Sequence, residues 1–176
     1  MSQNELLLNK LILYYQADDY RELDKILRIL KGESPISLRI LDWFVTNYAK
    51  QQYVVYNNGA SRFKVYNDYK LKLKAYSKKR FDPFCRWDKI TIPYRDGQFI
   101  QTTLGQLNFF KWVIENNIIG FIEQEYTSIE TDMNSRNSTA KQKVVDNKTR
   151  KKREELSVLA TKSIKKEEVL TEVNFD

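Results

Sequence analysis

Residues 89–115, KITIPYRDGQFIQTTLGQLNFFKWVIE, combine the two kinds of secondary structure that we expect in this chain. The first half places β-branched residues on both sides of Asp96-Gly97, a dipeptide typical of tight hairpin turns. Thr102 or Thr103 is a suitable N-cap, and apolar residues recur at helical spacing from Leu104 onward. A hairpin that leads directly into a buried helix predicts an α+β fold.

Upstream of this stretch, QYVVYNNGASRFKVY (residues 52–66) predicts another hairpin, with its turn at Asn57-Asn58-Gly59. Three helices are expected before it. The first covers residues 3–16, and the second runs from a cap at Asp18 or Asp19 to near Gly32. The third begins at Ser34-Pro35, with the serine as N-cap and the proline as the first helical residue.

Downstream, Asn116-Asn117 is expected to close or bend the helix, and residues 118–133 continue at helical spacing. The two segments form a central helix pair. From residue 134 the sequence turns polar, which indicates a mobile arm, and the last residues predict a short helix and a strand. The expected domains are a globular α+β domain over residues 1–133, a basic mobile arm over 134–153, and a returning helix and strand over 154–176.

The expected fold is therefore α+β, with N-terminal helices, a small antiparallel sheet of hairpins and a central helix pair, followed by the basic flexible arm and a short C-terminal strand. The chain has 176 residues, of which 41% are hydrophobic, enough for one core. No stretch approaches the roughly 18 apolar residues that span a bilayer, and no signal peptide is visible. We expect a soluble, intracellular protein.

Histidine is absent and Cys85 is the single cysteine, which excludes an intrachain disulfide and His-dependent catalysis. Zinc sites of the usual Cys/His kind are excluded too. Asp82, Asp88 and Asp96 match no magnesium motif, and Cys85 has no histidine partner, although Arg86 would lower its pKa. There is no glycine-rich phosphate loop. We expect no catalytic residues, no metal, no cofactor and no enzymatic activity.

The net charge of +7 is unevenly distributed along the chain. Residues 61–100 hold eleven basic and four acidic side chains, and residues 134–166 hold eleven and three. An acidic segment separates these two basic blocks. Lysine and arginine neutralise phosphates, so the blocks contain the candidate nucleic-acid-binding residues: Lys70, Lys72, Lys74, Lys78, Lys79, Arg80, Arg86, Lys148, Arg150, Lys151, Lys152 and Arg153.

The first block lies in YKLKLKAYSKKRFDPFCRW, residues 69–87, which fits a strand at period two or a helix. We favour the helix, with Asn67 or Asp68 as cap, because no β-branched residue interrupts it. Three aromatics follow: Phe81, Phe84 and Trp87. They would stack on exposed bases or, the interpretation we favour, pack in the core. The second block, NKTRKKREE, fits a nucleic-acid tail, a nuclear import signal or a solvated helix start.

Several segments of this chain resemble a family of uncharacterised proteins from nucleocytoplasmic large DNA viruses, the giant viruses. The segments are SLRILDWFVTNYAK, LKAYSKKRFDPFCRW, TTLGQLNFFKWVIENNIIGFIE and RKKREELSVLATKSI with the closing VNFD. The resemblance covers residues 36–175 and implies a viral origin, with no residue roles attached.

A small basic viral protein is expected to bind nucleic acid, DNA more than RNA, in the particle or at the genome replication site. The alternatives are a minor capsid or virion structural protein that contacts acidic partner surfaces, and an accessory factor of viral transcription or replication. The expected location is the virion or the host cytoplasm, in a viral factory, with the host nucleus as a further location. Partners are therefore nucleic acid or other virion proteins.

Overall fold

Two β-hairpins interrupt an otherwise mostly helical chain in residues 1–146, which a computed structural model describes. The strands are β1 (Val55–Asn58), β2 (Ser61–Lys64), β3 (Lys89–Pro93) and β4 (Phe99–Thr103). The helices are α1 (Gln3–Leu30), α2 (Leu38–Trp43), α3 (Ala49–Gln51), α4 (Val65–Arg80), α5 (Leu104–Glu115), α6 (Ile118–Gln124) and α7 (Tyr126–Asp146). A π-helical stretch, Phe44–Tyr48, joins α2 to α3. This mixture of helices and antiparallel strands confirms the α+β class.

Helix α1 begins with a capping box, in which Ser2 Oγ accepts a hydrogen bond from the Glu5 backbone N–H (3.2 Å). Helical geometry stops at residues 17–20, where Asp18, Asp19 and Tyr20 have φ values of +53°, +54° and +60°. The predicted boundary between the first two helices is thus confirmed. The Asp18 carboxylate accepts a hydrogen bond from the Arg21 guanidinium (3.1 Å), three residues further along the chain.

The tip of the second hairpin packs against this break in α1. The Tyr94 hydroxyl donates to Asp24 (2.6 Å), and Arg95 forms an ion pair with the same carboxylate (2.7 Å). Arg95 also donates to the Asp19 carbonyl, and the Tyr20 and Tyr94 rings meet edge to face. Left-handed non-glycine residues cost about 1–2 kcal/mol each, and these contacts hold three of them in place.

Replacing Tyr94 with phenylalanine should lower the free energy of unfolding by about 1 kcal/mol, because a hydrogen bond to a charged carboxylate is lost while the ring contact with Tyr20 stays. Urea denaturation measures the change. Tyr53→Phe is the matched control, because Tyr53 is exposed, and its stability should equal that of the wild type. A Tyr94→Phe variant as stable as the control would show that this hydrogen bond does not stabilise the break.

The third helix begins later than predicted. Ser37, and not Ser34, is its N-cap, since Ser37 Oγ accepts from the Ile40 N–H (3.2 Å). Ser34 Oγ accepts from the Ile36 N–H in the preceding turn. Both serines can cap by local chemistry. The later start is accompanied by burial of the Ile36 side chain, which is 1% exposed.

Both hairpins are confirmed, but each forms its own two-stranded antiparallel sheet, where we predicted one small sheet. The reason is their position along α5. The β3–β4 hairpin leads into the start of α5 at Thr103, whose hydroxyl caps that helix as expected. The β1–β2 hairpin reaches its end, where the Tyr56 hydroxyl donates to the Asn116 carbonyl (2.5 Å). A helix of this length separates the two ends by about 18 Å, too far for strand pairing.

Helix α5 is the centre of the domain. Its buried residues come from most of its circumference: Gly105, Gln106, Leu107, Asn108, Phe109, Phe110, Trp112 and Val113. Helices α1, α4 and α6 pack around it. Asn117, with φ +51°, separates α5 from α6, as the asparagine pair predicted. The second half of the predicted helix pair is divided at Glu125 into α6 and α7.

Helix α7 continues to Asp146, so residues 134–146, the first part of the predicted arm, are helical. This segment contains no proline or glycine to end the helix. The rest of the predicted arm, the C-terminal helix and the closing strand lie outside the described residues.

Candidate nucleic-acid interface

Helix α4 carries six of the predicted nucleic-acid-binding residues: Lys70, Lys72, Lys74, Lys78, Lys79 and Arg80. The helical interpretation of residues 69–76 is therefore confirmed. The helix begins at Val65, and Asp68 is not its cap. The Asp68 carboxylate instead accepts a hydrogen bond from the Trp112 indole N–H (2.5 Å). Asp68 is the one acidic residue of α4 and it contacts α5, so no carboxylate lies among the exposed residues of this helix.

Ser77 interrupts α4, with φ +61° and ψ 170°. This region of backbone space strongly favours glycine and costs about 1–3 kcal/mol for other residues. The sequence predicted that Lys70, Lys74 and Lys78 would lie along one flank at helical spacing. Lys70 and Lys74 keep that relation, and the break takes Lys78 out of it. Residues 78–80 therefore form a separate basic group at the end of the helix.

The cations of α4 form no ion pair with a carboxylate of the described residues. Lys70, Lys74, Lys78 and Lys79 are exposed, while Lys72 and Arg80 are half-buried. Among the described side chains, none of the six belongs to an ion pair. Cations that do pair with carboxylates lie on other elements and include Arg21, Lys25, Arg86, Arg95, Lys111 and Arg136.

A further lysine joins this surface from outside the predicted block. Lys50, in α3, and Lys70 each place their ammonium 5.7 Å from the centroid of the Tyr66 ring. Lys50 was not predicted, because it stands twenty positions before Lys70 in a segment of balanced charge. Packing of α3 against α4 brings the two cations to one ring.

The three aromatic residues that follow α4 differ in burial. Phe81 and Phe84 are 2% and 3% exposed and belong to the core, as favoured for all three. Trp87 is 39% exposed, and the Lys79 ammonium lies 5.8 Å from its ring centroid. For Trp87 the core interpretation is therefore wrong. Nothing in the local pattern distinguishes its ring from the two phenylalanines.

Trp87 borders a groove with a volume of about 740 Å³. Its walls come from the first turns of α1, the end of α4, the start of α5 and the segment around β3. The lining residues are Asn4, Glu5, Leu8, Lys79, Arg80, Trp87, Asp88, Ile90 and Leu104. Two of the predicted binding residues, Lys79 and Arg80, thus meet an exposed indole in one concave site.

Arg86 has a different environment from the other basic residues of its block. Its guanidinium binds the Asp82 carboxylate at two positions, 2.9 and 3.0 Å, and lies 5.4 Å from the Phe84 ring centroid. Asp82 is 2% exposed and also accepts from the Phe84 N–H (3.2 Å). The geometry assigns Arg86 the neutralisation of a buried carboxylate, a structural role that the charge count did not indicate.

Helix α5 positions the basic end of α4 through backbone contacts. A Cβ at position 105 would lie 3.0 Å from the Lys79 carbonyl oxygen and 3.2 Å from the Phe81 nitrogen, so any other residue would push the two backbones apart. The Asp82 N–H donates to the Gly105 carbonyl (3.2 Å), and the Asn108 amide donates to the Arg80 carbonyl (2.8 Å). These hydrogen bonds fix the backbone at residues 79–82 against the start of α5.

Asp42 in α2 interacts electrostatically with charged residues of α4 and of the loop that follows it. Burial and, to a smaller extent, the Asp82 carboxylate raise the pKa of Asp42 to about 6, with Arg86 and Lys78 acting in the opposite direction. Asp42 is distant in sequence from all three. No local signal in the sequence indicates this interaction.

The carboxylates considered for metal binding do not converge. Asp82 is buried with Arg86, Asp88 lines the groove, and Asp96 lies in the β3–β4 turn. Among the side chains that the structure describes, no group of three His, Cys, Asp or Glu is arranged to hold a metal ion. In the same residues, no helix has the length and apolar character needed to cross a bilayer.

The basic residues of the second block, Lys148, Arg150, Lys151, Lys152 and Arg153, lie outside the described part of the chain. The structure therefore describes the first basic block of the predicted interface. Helix α4 provides two groups of cations: Lys70 and Lys74 on its flank, and residues 78–80 at its end, beside Trp87.

Comparison with known proteins places the chain among viral proteins. Residues 2–173 match the model of a family described as a family of unknown function, DUF7197. The chain is 44% identical over 137 residues to "Uncharacterized protein L507" of Acanthamoeba polyphaga mimivirus, a match that covers 72% of this chain and 52% of the relative. The chain thus spans about half the length of that curated relative. No solved structure matches.

Proposed function

The chain belongs to this family of unknown function, DUF7197, with a giant-virus relative, and on that premise we propose that it is a non-enzymatic nucleic-acid-binding protein of the virus. The giant-virus resemblance inferred from the sequence is confirmed by the match to the mimivirus protein. In this proposal the protein acts on the viral genome, in the particle or at the site of replication, and binds DNA in preference to RNA.

One observation carries the proposal: the α4 cations form no ion pair in the described residues, although cations on other elements do. Unpaired cations repel one another, and a polyanion removes that repulsion. When lysines contact phosphates, the nucleic acid releases condensed counterions, and this release favours binding. A surface of this kind binds the backbone of nucleic acid without reading its sequence.

The test is equilibrium binding of the full chain to labelled duplex and single-stranded DNA across a salt series from about 50 to about 200 mM. The variant replaces the exposed residues Lys70, Lys74, Lys78 and Lys79 with glutamine. We expect its affinity to fall at least about tenfold, and the slope of log affinity against log salt to lose up to about four units, near one per phosphate contact.

A charge-matched variant controls for the loss of net charge. It replaces four exposed cations of α1, Lys10, Arg21, Lys25 and Arg28, with glutamine, and removes the same charge from another surface. Its salt slope should match the wild type. An equal loss in both variants would show that net charge, and not the α4 surface, is responsible. Wild-type protein that does not bind DNA near physiological salt would overturn the proposal.

A further inference from the structure

The groove beside Trp87 offers chemistry beyond a positive surface. We propose that it binds one unpaired nucleotide of a single strand, with the base stacked on the Trp87 indole and the adjoining phosphate on Lys79 and Arg80. This inference rests on the proposed function and names the form of nucleic acid that the groove recognises.

The stacking surface is the first element of the site. Of the three tryptophans, Trp112 is 4% exposed and Trp43 is half-buried, with its indole N–H donated to Asp132 (2.9 Å). Trp87 is 39% exposed, and its indole is the aromatic ring that lines the groove. Every base has a π face, so an exposed indole stacks on bases without selecting a sequence.

The second element is a pair of cations at the ring. The Lys79 ammonium lies over the Trp87 ring, 5.8 Å from its centroid, and Arg80 lines the same groove while its Nη1 donates to Gln3 Oε1 (3.3 Å). A base that displaces the flexible Lys79 side chain from the ring face keeps its own phosphate within reach of both cations. The contact with a neutral amide leaves the Arg80 charge available to a phosphate.

The third element is the shape and the remaining lining of the groove. A volume of about 740 Å³ falls in the range of small-ligand pockets, which is about 300–1,000 Å³. Leu8, Ile90 and Leu104 supply apolar surface for the edges of a base. Glu5 and Asp88 supply carboxylates that can accept hydrogen bonds from base N–H groups, including the N3–H of thymine. One oxygen of Glu5 already accepts from the Ser2 N–H (2.7 Å).

The form of nucleic acid follows from these elements. In a duplex each base is stacked and paired, so its face is not available to an indole. A single strand presents its bases and pays little to turn one outward. The flank of α4 with Lys70 and Lys74 attracts either form, whereas the groove favours the single strand.

The experiment compares a labelled oligothymidine with a DNA hairpin duplex of equal charge, using fluorescence anisotropy and the full chain. Trp87→Leu should weaken binding of the single strand about tenfold, within the range measured when a stacking residue is removed. Trp87→Phe keeps a ring and should lose less than about threefold. The ratio of single-strand to duplex affinity should fall in Trp87→Leu. The control is Phe99→Leu, an aromatic of similar exposure on β4, which should behave as wild type.

A second readout is tryptophan emission, with Trp87→Phe as the background from Trp43 and Trp112. Oligothymidine should quench the emission that the variant lacks. If the wild type binds oligothymidine tightly and Trp87→Leu binds it with the same affinity, the proposal for the groove is wrong and the proposed function remains intact. Absence of wild-type binding to both DNAs would overturn the two together. Free thymidylate that quenches Trp87 with the affinity of the oligomer would overturn strand binding and identify a mononucleotide site.

Discussion

Replacing Phe81 with alanine is expected to lower the free energy of unfolding by about 3–5 kcal/mol, the largest effect that we predict for a single residue of this protein. Phe81 is 2% exposed, and its ring lies 5.2 Å from the Phe109 ring and 5.5 Å from the Trp112 ring. Tyr69 and Tyr76 of α4 complete the cluster, at 5.9 and 6.3 Å. Removal of the ring leaves a cavity where α4 meets α5.

The measurement is denaturant unfolding followed by circular dichroism, with Phe99→Ala as control. Phe99 is 44% exposed, so its truncation should change stability by less than about 1 kcal/mol. Equal effects of the two substitutions would contradict the assignment of Phe81 to the core. Because Phe81 directly follows Arg80, the folded fraction of Phe81→Ala should also bind DNA more weakly than wild type.

Replacing Asp42 with asparagine is expected to stabilise the protein near neutral pH by on the order of 2 kcal/mol. Burial, and then repulsion from Asp82, raise the pKa of Asp42 from 3.8 to about 6 in the folded state. Between these two values the folded protein binds more protons than the unfolded chain. Stability contributed by the neutral carboxyl is therefore present at low pH and is lost as the pH rises from about 4 to about 6. Asparagine cannot ionise and removes this loss.

Urea denaturation at several pH values between about 4 and about 7 tests this prediction. The curves of wild type and Asp42→Asn should converge at the acidic end and separate toward neutral pH, with the variant more stable. Asp96→Asn, in an exposed turn, should keep the wild-type pH dependence. A constant difference between Asp42→Asn and wild type across the range would show that ionisation of Asp42 is not the cause.

Much of the secondary structure could be predicted because its signals are local. The Asp96-Gly97 turn, the Thr103 cap and the Asn116-Asn117 boundary each depend on the conformational preferences of two or three neighbouring residues. The helix over residues 69–76 was also predictable from propensity. The prediction of Ser34 as a cap was wrong. Ser37 satisfies the same local rule, and its use as the cap is accompanied by burial of Ile36.

The candidate site was predictable in its charge and not in its geometry. Composition located the lysines of α4, but not the Ser77 break that divides them or the Lys50 side chain beside Lys70. It located Phe81, Phe84 and Trp87 together, but not which ring stays accessible. It counted Arg86 among binding residues, whereas Asp82 holds its guanidinium.

The sequence by itself determined the fold class, the two hairpin turns, the helix boundaries at Gly32 and Asn117, and the excess of cations in one block. These properties depend on neighbours in the chain, whose identities are visible. Tertiary structure alone decided that the hairpins lie at opposite ends of α5, that Asp68 binds Trp112, and that Trp87 faces a groove with Lys79 and Arg80. Those outcomes depend on packing between distant segments, where the burial of one side chain determines the space left for another.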